Sequence, residues 1–394
     1  MRTLSEKAVI GVVGAGAMGG GIAQLAATRG HPVVLFDSSD DQISKAQIAN
    51  DKALRRQVDK GQLSETEAHS ILKKISFGED LGAFAPCSLV IEAVVESAKV
   101  KQEIFSKLET IVSADCILAS NTSSLSIASI ASTCKHPERV LGIHFFNPAP
   151  VMPLVEIIPG LLSDELTVDA SRGLIDSWGK TTVLAKDTPG FIVNRIARPF
   201  YSESIRQYEE GIADIATIDW ALKEIGGFRM GPFELMDFIG NDVNLKVTES
   251  VFESFFYDPR FKPSITQKRI VEARLFGRKT GRGYYEYAPE AAPPAPSKDK
   301  KLGTEIFNRV LAMLINEAAD AVFLKIATVE DVDLAMTKGV NYPKGLLRWA
   351  DEIGISTILS RLEALQEEYG EDRYRPNPLL KRMARNKETF YSAA

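Results

Sequence analysis

Two ionisable residues stand in apolar surroundings where a charge is costly. His144 lies within Val140-Leu141-Gly142-Ile143-His144-Phe145-Phe146-Asn147-Pro148, and Glu156 within Leu154-Val155-Glu156-Ile157-Ile158. A neutral imidazole in a partly apolar setting can act as a base near neutral pH, although such a histidine taken alone is more often a satisfied core residue. A carboxylate on an apolar strand needs a partner. If the two strands are neighbours, Glu156 can accept a hydrogen bond from one ring nitrogen and fix the tautomer. The other nitrogen is then left to take a substrate proton. The remaining histidines, His31, His69 and His136, fall in polar loop or helix surroundings.

Gly14-Ala15-Gly16-Ala17-Met18-Gly19 follows an apolar run and opens a helix-prone stretch. Glycines at this spacing allow a tight turn and let the backbone approach a pyrophosphate at the positive end of a helix. Asp37 ends the next apolar run, where a carboxylate accepts from a ribose 2′-hydroxyl and repels a 2′-phosphate. Ser38 and Ser39 bring no compensating cation, so the expected cofactor is NAD rather than NADP. The alternative is a set of glycines that serve only close packing, with Asp37 as a turn residue. Asn121-Thr122-Ser123-Ser124-Leu125 follows another strand and sets hydroxyls at the carboxyl edge of the expected sheet, or simply caps a helix. Asp187-Thr188-Pro189-Gly190-Phe191-Ile192-Val193-Asn194-Arg195 marks a domain junction and turns into a helix. Asn194 is expected on a cleft there, with a plain helix-surface amide as the alternative.

The elements that must hold these residues follow from periodicity. Short β-branched runs alternate with amphipathic stretches up to about residue 187, which predicts a mostly parallel sheet with helices on both faces. Strands are expected at Ala8–Val13, Pro32–Phe36, Leu89–Glu92, Cys116–Ala119, Val140–Phe145, Leu154–Ile158 and Thr181–Leu184. An inserted helical hairpin is expected at about 40–76. Helical periodicity dominates beyond Pro189, in domains at 188–287 and 302–394 joined by a Pro-rich exposed linker, 288–301, with a further strand at Gly283–Tyr287. The second stretch repeats the first. A shift of 114 positions aligns Ile192/Ile306, Asn194/Asn308, Arg195/Arg309, Glu203/Glu317, Asp219/Asp333, Gly231/Gly345, Asp237/Asp351 and Gly240/Gly354 without a gap. Asn308 has no dinucleotide domain ahead of it in its copy and is expected to be a structural relic.

Composition limits the alternatives. The 394 residues carry 47 basic and 52 acidic side chains, a net charge of −5, which argues against a nucleic-acid-coating protein. Three cysteines, Cys87, Cys116 and Cys134, without metal-type spacing fit a reducing, cytoplasmic setting and no metal site. The charge-free stretch Ala8–Thr28 is broken by six glycines, so it reads as strand, turn and helix and not as a membrane segment.

Together the blocks GAGAMGGGIA, IEAVVE from Ile91, SNTSSL from Ser120, HFFNPAPVMPLVEI from His144, DTPGFIVNR from Asp187, GPFELMDFIG from Gly231 and GRKTGRGYY from Gly277 resemble the NAD-dependent 3-hydroxyacyl-CoA dehydrogenase family. That resemblance implies a Rossmann-type α/β domain followed by two tandem, mainly α-helical domains, as in members of fatty acid metabolism and β-oxidation with a duplicated C-terminal unit. It implies reversible oxidation of a (3S)-3-hydroxyacyl-CoA, short chain such as 3-hydroxybutyryl-CoA, or the dicarboxylic 3-hydroxyadipyl-CoA. His144 would be the base and Glu156 its partner, with Ser123 and Asn194 on the reacting oxygens. Glu96, Lys101, Asn147 and Lys279 would contact the dinucleotide, while Arg56 and Lys60, with Ser123, would meet the CoA moiety. In single-copy relatives the helical domain dimerises, so here either a monomer, through tandem copies folded on each other, or a homodimer is expected. Two competitors remain: a β-hydroxyacid dehydrogenase acting on a small free acid, which as a rule uses a catalytic lysine, and a non-catalytic NAD(H)-binding relative.

Overall fold

The computed structural model describes residues 4–5 and 7–391. The chain divides at Phe191/Ile192 into two compact units.

The first unit is built on an eight-stranded sheet in the order β3-β2-β1-β4-β5-β6-β7-β8. Its strands are β1 (Ile10–Val13), β2 (Val33–Phe36), β3 (Ile75–Phe77), β4 (Leu89–Glu92), β5 (Ile117–Ser120), β6 (Val140–Phe145), β7 (Leu154–Pro159) and β8 (Thr181–Leu184). Every pairing is parallel except β6 with β7. The helices are α1 (Ala17–Thr28), α2 (Asp40–Asp59), α3 (Glu65–Lys73), α4 (Ala98–Ile111), α5 (Ile127–Ala131) and α6 (Glu165–Ser177). Continuous apolar runs such as Leu89-Val90-Ile91 are wholly buried because helices cover both faces of a parallel sheet. The expected hairpin is α2 and α3. Ser39 caps the first helix, and Ser64 with Glu67 closes a capping box on the second.

Three expectations are corrected. β3 was not expected, because only Ile75 of its three residues is buried and an edge strand this short leaves no periodic trace. His31 is not in a polar loop: it is buried, its Nδ1 lies 3.0 Å from the Ala8 carbonyl, and Nε2 accepts from the Trp178 indole at 3.0 Å. Its partner is the residue that ends α6, far along the chain, where local composition carries no signal. Residues Gly283–Tyr287 form no strand: only Glu286 among them is bridged, to Arg282, which also bridges Gly277.

The second unit is helical: α7 (Val193–Ile196), α8 (Arg198–Glu209), α9 (Ile215–Trp220), α10 (Pro232–Ile239), α11 (Asn241–Ser254), α12 (Ile265–Glu272), α13 (Lys300–Phe323), α14 (Val329–Gly339), α15 (Leu346–Ile353), α16 (Ile355–Tyr369) and α17 (Pro378–Asn386). The repeat seen in the sequence is a repeat of elements. α10 corresponds to α15, α11 to α16 and α12 to α17. Pro199 interrupts the first copy between α7 and α8, since it lacks an N–H and crowds the preceding turn; Met313 holds that place in the continuous α13. Asp219 accepts from Phe233 N, Glu234 N and Tyr285 Oη, and Asp333 likewise from Leu347 N, Arg348 N and Tyr391 Oη. A Cβ on Gly231 or Gly345 would fall 2.3 Å from the Asp219 or Asp333 carboxyl carbon, so each repeat glycine makes room for its own aspartate.

The two copies pack on each other, α8 against α13, with reciprocal ion pairs. Arg195 reaches Glu317 at 3.8 Å, and Arg309 reaches Glu203 at 3.1 Å. Arg260 and Arg373, the middle residues of the equivalent short turns Pro259–Phe261 and Asp372–Tyr374, meet Glu317 at 3.2 Å and Glu203 at 4.0 Å. Residue i of one copy contacting j of the other, while j's counterpart contacts i's, is the pattern of a two-fold interface.

Candidate active site

His144 and Glu156 are directly opposed in the antiparallel register of β6 and β7. Their side chains meet, Nδ1 to Oε2, at 2.6 Å, with His144 5% exposed and Glu156 wholly buried. A carboxylate can only accept, so Nδ1 carries the hydrogen and Nε2 keeps a lone pair for an incoming proton. The ring lies against Phe146 at 4.6 Å and Phe191 at 5.8 Å between centroids. Phe191 is held at φ +45°, a strained value for a side chain of its size, directly after Gly190. The strain seats an aromatic wall on the imidazole.

The loop from β1 to α1 has the shape a dinucleotide needs. Gly14 sits at φ +104°, where an added Cβ would fall 2.5 Å from the Ala93 carbonyl oxygen, and a Cβ on Gly19 would fall 1.8 Å from the Gly14 oxygen. Gly16, by contrast, faces open space, and no side chain caps the first amides of α1. An open glycine ahead of uncapped N–H groups fits a pyrophosphate. Ala15 donates to Asp37 at 2.7 Å and Ser39 donates to the other oxygen at 3.0 Å, fixing the carboxylate beside the loop. Ala17 and Met18 open the helix itself.

Around the end of β4 a second cluster forms. Glu96 accepts from Thr122 Oγ1 at 2.6 Å, Ser124 Oγ at 2.9 Å and the Ser123 amide at 3.2 Å. Burial opposes its ionisation, but Lys101 and the Thr122 and Ser124 hydroxyls outweigh that and hold its pKa below the ordinary carboxylate range. Lys101, 1% exposed, bridges Glu96 at 3.2 Å and the buried Glu92 at 2.7 Å. Its ammonium is thus spent on two carboxylates behind the loop. Ser123 donates no hydroxyl hydrogen bond among the described residues. Asn121 Oδ1 accepts from Phe145 N at 2.8 Å, tying this loop to the strand that carries His144. Asp187 accepts from Ser126 Oγ and from Ile127 and Ala128 N, so the Asp-Thr-Pro-Gly-Phe segment is fastened to the start of α5.

Lys180 was not expected. It is buried ahead of β8 and donates to the Ala149 and Met152 carbonyls at 2.6 and 2.7 Å, holding the turn that follows Asn147, which is itself exposed. Burial, reinforced by Arg29, lowers its pKa to about 8. No local sequence signal marks it, because its acceptors are main-chain atoms. Arg56 and Lys60, at the end of α2, are exposed and make no ion pair among the described residues. In the second unit Lys279 bonds Asp242 at 2.6 Å, and the half-buried Asn194 and Asn308 leave their side-chain amides without hydrogen bonds among the described residues. Among those residues no cluster of metal-ligating side chains occurs. The cysteines are free, and burial raises Cys87 and Cys116 to about 12 and Cys134 to about 11. No helix among the described residues is long and apolar enough to cross a membrane.

The chain is similar to known proteins along most of its length. The model of the 3-hydroxyacyl-CoA dehydrogenase NAD-binding domain matches residues 9–188, and that of the C-terminal domain matches twice, at 190–287 and 306–391. The chain is 37% identical to a 3-hydroxyadipyl-CoA dehydrogenase of Escherichia coli K12, over 95% of this chain and 97% of that one. It is 41% identical to a 3-hydroxybutyryl-CoA dehydrogenase of Bradyrhizobium diazoefficiens, over 73% and 98%. A crystal structure of an E. coli K12 3-hydroxybutyryl-CoA dehydrogenase superposes with a TM-score of 0.90 at 36% identity, covering 96% of this chain and 98% of that one. With the same helical module matched at both copies behind a dinucleotide-binding sheet, the chain belongs to the NAD-dependent 3-hydroxyacyl-CoA dehydrogenases.

Proposed function

We propose that the protein reversibly oxidises the 3-hydroxyl of a short (3S)-3-hydroxyacyl-CoA to the 3-oxo thioester, the stereochemistry following the family. The observation that carries this reading is the buried 2.6 Å contact between His144 Nδ1 and Glu156. His144 Nε2 takes the hydroxyl proton, and Glu156 balances the imidazolium that forms. NAD, when bound, supplies the acceptor for the electron pair of the C3–H bond. Ser123 and Asn194 hold the reacting oxygen, and Gly14, Gly16, Gly19 and Asp37 hold the dinucleotide. Glu96 and Lys101 brace the Thr122–Ser124 loop, so their part is positioning as much as contact. Asn147 and Lys279 complete the cofactor set, while Arg56 and Lys60 attract the CoA phosphates. The named E. coli relative, matched along almost its whole length, favours a dicarboxylic substrate as a second reading. We place the enzyme in a reducing cytoplasm, consistent with three free, high-pKa cysteines.

NADH absorbance followed with acetoacetyl-CoA tests this. Turnover is expected; tight NADH binding without turnover would identify a non-catalytic binding protein, and turnover of small free 3-hydroxy acids alone would identify the other dehydrogenase class. We also infer that the domains run 1–187, 188–287 and 302–394, and that the two helical copies make an internal pseudo-dimer. That reading is supported by the reciprocal Arg195/Glu317 and Arg309/Glu203 pairs.

A further inference from the structure

Glu92 is a charged residue of the first unit for which the reaction above has no use. It ends β4 and is wholly buried. Its Oε1 accepts from Val94 N and Lys101 Nζ, both at 2.7 Å, and its Oε2 accepts from Ser120 Oγ at 2.6 Å. That hydroxyl in turn accepts from Thr122 N at 3.2 Å. Both carboxyl oxygens thus face donors, the arrangement of an ionised group. Among the described residues Lys101 is the one cation within 4.0 Å of Glu92 or Glu96, and it serves both. Two carboxylates against one ammonium leave the cluster with a net negative charge, and Glu92 and Lys101 are out of contact with water.

The register of the sheet says where this charge stands. Glu92 pairs with Val13, the residue before the glycine loop, and with Ser120 on β5; Ser120 pairs with Gly142 on β6, two residues before His144. These pairings are parallel, so the carboxyl ends of β1, β4, β5 and β6 lie along one edge, with the cluster between the glycine loop and the imidazole. A dinucleotide whose pyrophosphate rests on that loop, and whose reacting ring meets the alcohol beside His144, has to cross the ends of β4 and β5. A nicotinamide ring is a cation when oxidised and neutral when reduced. A fixed negative charge nearby therefore attracts one form and is indifferent to the other.

We propose that Glu92, through the net charge it shares with Lys101 and Glu96, sets how tightly the enzyme holds NAD+ relative to NADH. The assignment rests on the function proposed above, which makes NAD the hydride acceptor beside His144. Glu96 has a second task, since it also gathers the Thr122–Ser124 loop. Glu92 is the cleaner residue to test.

Titration calorimetry with NAD+ and with NADH, read as the ratio of the two Kd values, is the measurement. Glu92→Gln removes the charge at nearly constant shape: the amide oxygen keeps Val94 N and Lys101, and the amide N–H donates to Ser120 Oγ. It is expected to weaken NAD+ relative to NADH by roughly 5- to 50-fold, the worth of one charge acting within about 10 Å of another at an effective permittivity of about 20–40. Lys101→Met makes the cluster more negative and is expected to move the ratio the other way. The double variant removes the buried pair as a unit, leaves the net charge as it was, and is expected to return the ratio to the wild-type value. A purely structural role would weaken both cofactor forms alike. A ratio left unchanged by the single variants, or moved in the same direction by both, would overturn the proposal; if one of them does not fold, the sign and size of the shift in the other decide. Failure of the wild type to bind either form would instead overturn the underlying function, and the proposal with it.

Discussion

At the scale of single residues, the imidazole and the glycines make separable predictions. His144→Gln is expected to fold, to bind NADH with unchanged fluorescence titration, and to lose turnover by roughly 10²- to 10⁴-fold, the usual worth of a general base. Near-normal turnover would remove His144 from that role. The two loop glycines should behave oppositely. Gly19→Ala puts a methyl group 1.8 Å from the Gly14 oxygen and should destabilise the first unit in a denaturant titration. Gly16→Ala meets nothing within 4 Å at an ordinary φ of −63°. It should leave stability unchanged and weaken NADH binding, because the methyl group enters the space assigned to pyrophosphate. The site pair itself was legible in the sequence, since one isolated histidine and one isolated carboxylate on apolar strands each require a partner.

At the scale of elements, the active-site loops are held from behind. Glu96 gathers the Thr122–Ser124 loop, Asp187 fastens the Asp-Thr-Pro-Gly-Phe segment to α5, and Lys180 holds the turn after Asn147. Lys180 yields a pH prediction with a definite sign. Its pKa is lowered from 10.5 to about 8 in the folded state, so between those values the unfolded chain binds more protons. Its contribution to stability therefore rises as pH increases from about 8 to 10.5, by about 2–3 kcal/mol at most, and is lost as pH falls through 8. Urea titrations at pH 7.5 and 10 should show that increment in the wild type and not in Lys180→Met. Equal increments in both proteins would refute the assignment.

At the scale of the molecule, we propose that the second helical copy takes the place of a partner chain. Arg309→Met removes the nearest cation from the buried Glu203, which keeps Tyr374 Oη at 2.9 Å and Arg206 and Arg373 at 3.6 and 4.0 Å, and should cost about 1.5–3 kcal/mol, the usual worth of a hydrogen bond to a charged group. Glu203→Gln should cost less, because Arg309 keeps Glu210 at 2.6 Å, and the double variant should lose less than the sum of the two. Sedimentation is expected to return the mass of one chain; an obligate dimer through the α8/α13 face would count against an internal pseudo-dimer. Asn308→Ala should leave kinetics unchanged. The repeat offset falls from 114 at Asp237/Asp351 to 106 at Tyr285/Tyr391, so the second copy lacks the turn that carries Lys279.

The alternation of apolar runs, the glycine loop, the repeat and the His144/Glu156 pair are written in the chain, because each depends on local spacing or on a charge that apolar neighbours cannot tolerate. Which main-chain carbonyls Lys180 serves, why His31 is buried against Trp178, and that Lys101 is consumed by two carboxylates were decided only by folding. In those cases the partners are distant in sequence, and a side chain's burial depends on what the topology lays over it. The same holds for Arg198. Its type and position can be read directly, but that no carboxylate among the described residues pairs with it is a property of everything packed around it.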